Sequence, residues 1–100
     1  MKILLVCAGG NSTGLLMKKM EKYWAEQGEE LVIDAVGLTA YQEVYKNFDI
    51  ILLGPQVSYR LKEVQSTTGL PAAAIPSYDY AVGNGPNIMK LAKNLMKENN

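Results

Sequence analysis

Two four-residue runs, Ile3-Leu4-Leu5-Val6 and Ile50-Ile51-Leu52-Leu53, are apolar at every position. A strand with one wet face alternates apolar and polar residues, because successive side chains point to opposite sides. A strand that is apolar throughout has to be covered on both faces, and parallel sheets sandwiched between helices provide that cover. The rest of the chain agrees, with short β-type runs alternating with longer amphipathic stretches. The runs predict strands over Lys2 to Cys7, Leu31 to Val36, Asp49 to Leu53 and Ala73 to Ile75. The first and third are expected at the centre, and the second, which carries Asp34, at an edge.

Four helices are predicted between and after these strands. The first runs from Ser12 to Gln27, with Leu16, Met20, Tyr23 and Trp24 on one buried stripe and Gly28 as its stop. Its opposite side offers Lys18, Lys19, Lys22 and Glu26 to water, which read as a solvated face. A shorter helix covers Thr39 to Asn47. A third follows Pro55, burying Val57, Leu61 and Val64 and closed by Gly69, and a fourth begins near Pro86 and buries Ile88, Leu91, Ala92 and Leu95. The expected architecture is an α/β single domain, a flavodoxin-like open sheet of four parallel strands in the order 2-1-3-4 with helices on both faces. In such a sheet the ligand site lies beyond the carboxyl ends of the strands, where the order reverses. That point falls between the first and third strands and brings Cys7 to Thr13 beside Gly54-Pro55-Gln56.

The 100 residues suit one domain, and 48% hydrophobic content suits a modest core. Ten basic side chains balance ten acidic ones, so no long-range basic field gathers nucleic acid or anionic lipid. The apolar runs fall far short of the roughly 20 residues of a membrane span. Ile3 to Val6 is likewise too short for the core of a signal peptide and leads into a glycine-rich turn. The single cysteine forms no intrachain disulfide, and a free thiol suits a reducing, cytoplasmic setting. The absence of histidine argues against a zinc site and against Cys-His or Ser-His catalysis within the chain.

Chemistry concentrates in Cys7-Ala8-Gly9-Gly10-Asn11-Ser12-Thr13-Gly14. Here a thiol closes a buried strand, small residues form a loop, and hydroxyl residues open a helix. Glycines let the backbone turn successive N–H groups toward one centre, a nest that holds an anion. The helix start adds unpaired N–H groups and a partial positive charge, favouring a phosphoryl group or a thiolate. The same field makes the Cys7 sulfur nucleophilic without a histidine base. Ser12 and Thr13 can bind phosphoryl oxygens or cap the helix. Buried cysteines are commonly inert and glycines commonly serve only turns, but the thiol at the mouth of this loop favours covalent chemistry.

Low-molecular-weight tyrosine phosphatases share the layout of cysteine, loop and helix, with an arginine at the sixth position after the cysteine. Thr13 stands there in this chain. Without a guanidinium clamp the transition state of hydrolysis lacks its main electrostatic support, and Asp79 is the only loop carboxylate to consider as a proton donor. The site reads as one that retains a phosphoryl group until an acceptor arrives.

Three segments together, Ile3 to Thr13, Leu52-Leu53-Gly54-Pro55-Gln56-Val57-Ser58-Tyr59 and Ile75-Pro76-Ser77-Tyr78-Asp79-Tyr80, resemble the enzyme IIB components of the lactose, cellobiose and chitobiose branch of the phosphoenolpyruvate-dependent sugar phosphotransferase system. The resemblance covers nearly the whole chain. It implies a phosphocysteine carrier in which Cys7 receives phosphate from a phosphohistidine on a IIA partner and delivers it to a sugar held by a membrane-embedded IIC partner. It implies a phosphate cradle at Ala8, Gly9, Gly10, Asn11, Ser12 and Thr13, no metal or organic cofactor, and a cytoplasmic protein recruited to the membrane by IIC without inserting. Gln56, and Tyr78 and Tyr80 on the loop after the last strand, are expected as contacts at the site rim or with a partner. The rival readings are a phosphatase-like enzyme and a non-catalytic flavodoxin-like binding module.

Overall fold

The computed structural model describes residues 1–8 and 12–98, the side chain of Ser12 excepted. Four strands, β1 (Lys2–Cys7), β2 (Val32–Gly37), β3 (Ile50–Leu53) and β4 (Ala72–Ala74), form one sheet in the order β2-β1-β3-β4. Every pairing is parallel. β1 is hydrogen-bonded on both sides, with Leu5 in register with Ala35 of β2 and with Leu52 of β3. The doubly apolar strands are therefore the inner pair, as their composition requires.

Side-chain alternation along these two strands divides the interior. Ile3, Leu5, Ile50 and Leu52 join Leu16, Met20 and Trp24 of α1 (Ser12–Glu26) and Ile88, Met89, Ala92 and Leu95 of α5 (Gly85–Glu98). Leu4, Val6, Ile51 and Leu53 face the other way, onto Tyr41 of α2 (Tyr41–Val44), Val57 of the 3-10 turn Pro55–Arg60 and Val64 of α3 (Leu61–Thr68). All eight strand residues are fully buried. Trp24 is fully buried too, and its indole N–H has no acceptor among the described residues.

Several boundaries move. The second helix is only α2 followed by a 3-10 turn over Tyr45–Asn47, and the segment after Pro55 first makes a 3-10 turn, Pro55–Arg60, before α3 begins. Leu61 and Leu91, expected in the core, are half-buried, and Met89 takes a core place the spacing argument missed. Gly28 and Gly69 end α1 and α3 with positive φ, as expected.

The segment after β4 is a correction. Ser77–Val82 is a helix, α4, so Tyr78 and Tyr80 are helical residues and not loop residues. Pro76, extended at φ −55° and ψ 144°, precedes it, and Gly83 ends it at φ 65°. α5 then starts from Asn84, whose Oδ1 accepts from the Asn87 N–H at 3.1 Å. No helix among the described residues is long and apolar enough to cross a membrane.

Candidate functional site

Cys7 is the last residue of β1, at the carboxyl edge of the sheet. It lies in register with Gly37 of β2, and on the other side the Gly54 N–H donates to the Val6 carbonyl at 2.9 Å. The alternation that puts Ile3 and Leu5 under α1 puts Cys7 on the same face. Two glycines thus flank the thiol where a sheet would ordinarily crowd it with side chains. The sulfur is held in this setting: Cys7 is 6% exposed and its S–H donates to the Val36 carbonyl at 3.5 Å. Ala8, the next residue, is exposed.

Past the sheet edge the chain enters α1 at Ser12, five residues after Cys7. Thr13, at the arginine position of phosphatases, is buried at 8% exposure and engaged with a neighbour. Gly9, Gly10 and Asn11, together with the Ser12 side chain, lie outside the described residues. Of the expected cradle, the sequence positions Ala8, Ser12 and Thr13 are therefore the ones placed at the sheet edge and helix start.

The third element of the site comes from Gly54. Its backbone, φ −64° and ψ 154°, is one any residue adopts, but the space above it is taken. A Cβ at Gly54 would stand 3.2 Å from Gln56 Oε1 and 3.4 Å from Tyr80 Cε2. Gln56 and Tyr80, 24 positions apart in sequence by their numbering, therefore converge over the residue that neighbours Cys7 across the sheet. Tyr78 does not join them: it is 72% exposed and faces outward. The two tyrosines divide, Tyr80 packing over Gly54 and Tyr78 standing on the surface.

Asp79 is also accounted for. Its Oδ1 accepts from Asn87 Nδ2 at 3.0 Å and its carbonyl accepts from the Asn84 N–H at 2.9 Å, so it fastens α4 to α5. Lys19 makes a parallel fastening from α1, donating from Nζ to the Val82 carbonyl at 3.1 Å with its methylenes lying over Gly83. Sequence reasoning placed Lys19 in a solvated basic face and missed this contact; the signal was Gly83, which tolerates positive φ and leaves room for the lysine stem.

On the opposite face of the sheet Arg60 pairs with Glu63, which also accepts from the Tyr41 hydroxyl at 3.4 Å. The hydrogen bond from Arg60, helped by its charge and by Tyr41, holds the Glu63 carboxyl below its ordinary range against the opposing effect of desolvation. The only arginine of the chain is thus occupied with a carboxylate. Among the described residues no cluster of three or more acidic, cysteine or histidine side chains could hold a metal ion.

Residues 2–91 match the family of lactose/cellobiose-specific IIB subunits of the phosphotransferase system. The chain is 36% identical, over 95% of its length and 95% of the relative's, to the oligo-β-mannoside-specific EIIB component of Bacillus subtilis (strain 168). The solution structure of the cellobiose-specific phosphotransferase IIB component from Borrelia burgdorferi is 37% identical and superposes with a TM-score of 0.81, covering 98% of this chain and 93% of that one. A third relative is larger: 66% of this chain matches 12% of the lactose-specific EIICB component of Lactococcus lactis subsp. lactis, at 33% identity.

Proposed function

Because the chain belongs to the lactose/cellobiose-specific IIB family of the phosphotransferase system, we propose that it is a phosphoryl relay whose carrying atom is the Cys7 sulfur. The observation that supports this most is the placement of the chain's one thiol at the carboxyl end of an inner strand, flanked by Gly37 and Gly54 and five positions before the first residue of α1.

The donor in this reading is a phosphohistidine on a IIA protein. The sulfur attacks phosphorus, an S–P bond forms, the P–N bond breaks, and the thiol proton ends on the departing imidazole nitrogen. Charge develops on the equatorial phosphoryl oxygens, where the backbone amides from Ala8 to Thr13 and the α1 terminus would hold it. In this reading neither His nor a free arginine is required, since backbone amides and the α1 terminus carry the charge. In the second step a sugar hydroxyl, held by a IIC protein at the cytoplasmic face of the membrane, attacks the same phosphorus. The S–P bond breaks and the hydroxyl proton ends on sulfur, restoring the thiol that donates to Val36.

Thr13 in place of an arginine, and an arginine and an aspartate committed elsewhere, suit a carrier and not a hydrolase. Gln56 and Tyr80 serve as the wall that keeps water from the phosphoryl group, and Tyr78 as a partner contact. The relatives are named for different sugars, oligo-β-mannoside, cellobiose and lactose, consistent with a sugar selected in the acceptor protein. The test is to mix the chain with a phosphorylated IIA protein of a cellobiose-type system and map the phosphoryl group by mass spectrometry at neutral pH. One phosphoryl group on the Cys7 peptide, absent from Cys7→Ser, is the expected result, and label on any other residue refutes it.

A further inference from the structure

We propose that Asp34 guards the open edge of the sheet: its carboxylate occupies the outer side of β2 and keeps a second copy of this chain from adding its own strand there. The guard acts whatever Cys7 carries.

An open sheet has two edge strands, here β2 and β4, and each offers a row of backbone groups to any strand that comes alongside. Two contacts fix the direction of those groups along β2. The Val32 N–H donates to the Met1 carbonyl at 2.9 Å, and the Val36 carbonyl accepts from the Cys7 S–H at 3.5 Å. Both point toward β1, and by alternation so do the backbone groups of Asp34. Those of Ile33, Ala35 and Gly37 therefore point away from the sheet. The middle donor is taken, because the Ala35 N–H donates to Asp34 Oδ1 at 2.9 Å. A strand arriving at this edge meets a carboxylate where it needs a free N–H, midway along the six residues of β2.

The rest of β2 invites such pairing. Leu31 to Gly37 reads Leu-Val-Ile-Asp-Ala-Val-Gly, a run of strand formers broken by one charge. Val32 is 53% exposed and Ile33 is half-buried. Val32 and Asp34 share a side of the sheet with Val36, which packs in the cluster around Tyr41. α2, at four residues, is too short to cover that whole side, and both stay exposed. In an antiparallel pairing of two β2 strands about their middle, the two Asp34 carboxylates come side by side, and like charges so placed oppose the pairing.

The other edge is closed by different atoms. On β4 the Pro71 carbonyl accepts from the Ile51 N–H and the Ile75 N–H donates to the Leu53 carbonyl, both inward. The groups of Ala72 and Ala74 consequently face outward. Gln65 Nε2 of α3 donates to the Ala72 carbonyl at 3.0 Å. Each edge thus has an outward backbone group consumed by a side chain of the chain itself. β4 offers three residues to a partner and β2 offers six, so the longer edge is the one that needs a charge.

The test is sedimentation velocity of the whole chain from about 10 µM to about 1 mM, with hydrogen exchange read residue by residue. Wild type is expected to sediment as a monomer throughout. Asp34→Val removes both the charge and the cap; its weight-average mass is expected at least to double at the upper concentration, with exchange protection gained over residues 32–37. Asp34→Lys keeps a charge on the edge but offers no acceptor. It is expected to stay monomeric while its Ala35 amide exchanges about tenfold faster than in wild type. Asp34→Thr, neutral and a good strand former, keeps the test available if the valine variant precipitates, and Trp24 emission matching wild type establishes that each variant is folded. A folded Asp34→Val or Asp34→Thr that remains monomeric at the highest concentration overturns the guard. So does a wild-type chain that already associates with protection gained on β2, and so does association of the variants with protection gained outside β2. An Ala35 amide that exchanges as slowly in Asp34→Lys as in wild type overturns the cap.

Discussion

Replacing Gly54 by alanine separates the function of the site from the stability of the fold. The backbone at φ −64° and ψ 154° accepts alanine without strain, and the substitution removes conformational freedom from the unfolded chain, which favours folding by about 0.4–1 kcal/mol. Against this, the added methyl meets Gln56 Oε1 at 3.2 Å, which forces that side chain back by a few tenths of an ångström, and comes into close contact with Tyr80 Cε2 at 3.4 Å. The Gln56 side chain is exposed and moves cheaply, and the half-buried Tyr80 ring is pressed only to the edge of ordinary contact. The net change in stability is expected within about 1 kcal/mol, or roughly 5 °C in Tm for a chain of this size. The proposed wall beside Cys7 is nevertheless disturbed by a few tenths of an ångström, well under the roughly 1 Å that costs about a hundredfold, so a fall in transfer rate of about two- to tenfold is expected. The assay pairs a urea titration with stopped-time charging of Cys7 and hydrolysis of the charged form. A folded Gly54→Ala protein that charges, holds and discharges its phosphoryl group at wild-type rates would refute the role given to Gln56 and Tyr80.

Three further outcomes test the packing. Gly85→Ala places a Cβ 2.7 Å from Tyr23 Cβ and Cγ, about 1 Å inside ordinary carbon contact; α1 and α5 must part, and a loss of about 1–3 kcal/mol in the urea titration is expected. Asn84→Ala removes the acceptor of the Asn87 N–H at the start of α5 and is expected to cost about 0.5–2 kcal/mol with an unchanged denaturant slope. Glu63 is held below its usual pKa first by its hydrogen bond from Arg60, so the folded state binds its proton less readily than the unfolded chain. The stability it contributes is present above the unfolded carboxyl range and is lost as pH falls through the depressed folded value. A small gap in urea midpoint between wild type and Glu63→Gln at pH 7 should therefore shrink and close on acidification below the unfolded carboxyl range; a gap that widens on acidification would contradict this sign.

The sheet was legible because its signal is a simple one. Ile3 to Val6 and Ile50 to Leu53 had no solvent-facing position to offer, which placed both at the centre and fixed the order 2-1-3-4 and the location of Cys7. α4 was not legible. Its six residues, Ser-Tyr-Asp-Tyr-Ala-Val, are too few to display a helical period, and two tyrosines and an aspartate are indifferent helix formers. What holds it is tertiary: Asp79 to Asn87 at one side and Lys19 to Val82 at the other. For the same reason the sequence could mark Gln56, Tyr78 and Tyr80 as candidates without dividing them. Only the approach of Gln56 and Tyr80 to Gly54, set by how α4 lies on the sheet, distinguishes those two from the outward Tyr78.

The double pairing of β1 has a kinetic corollary. An amide held in a ladder between two other strands exchanges with solvent only when the whole unit opens, so the N–H groups of Leu4 to Val6 belong to the slowest-exchanging class in the molecule. The thiol grows directly from that segment and shares its immobility. In the relay proposed above it is a fixed post, and the phosphoryl donor supplies the motion that brings sulfur and phosphorus into line.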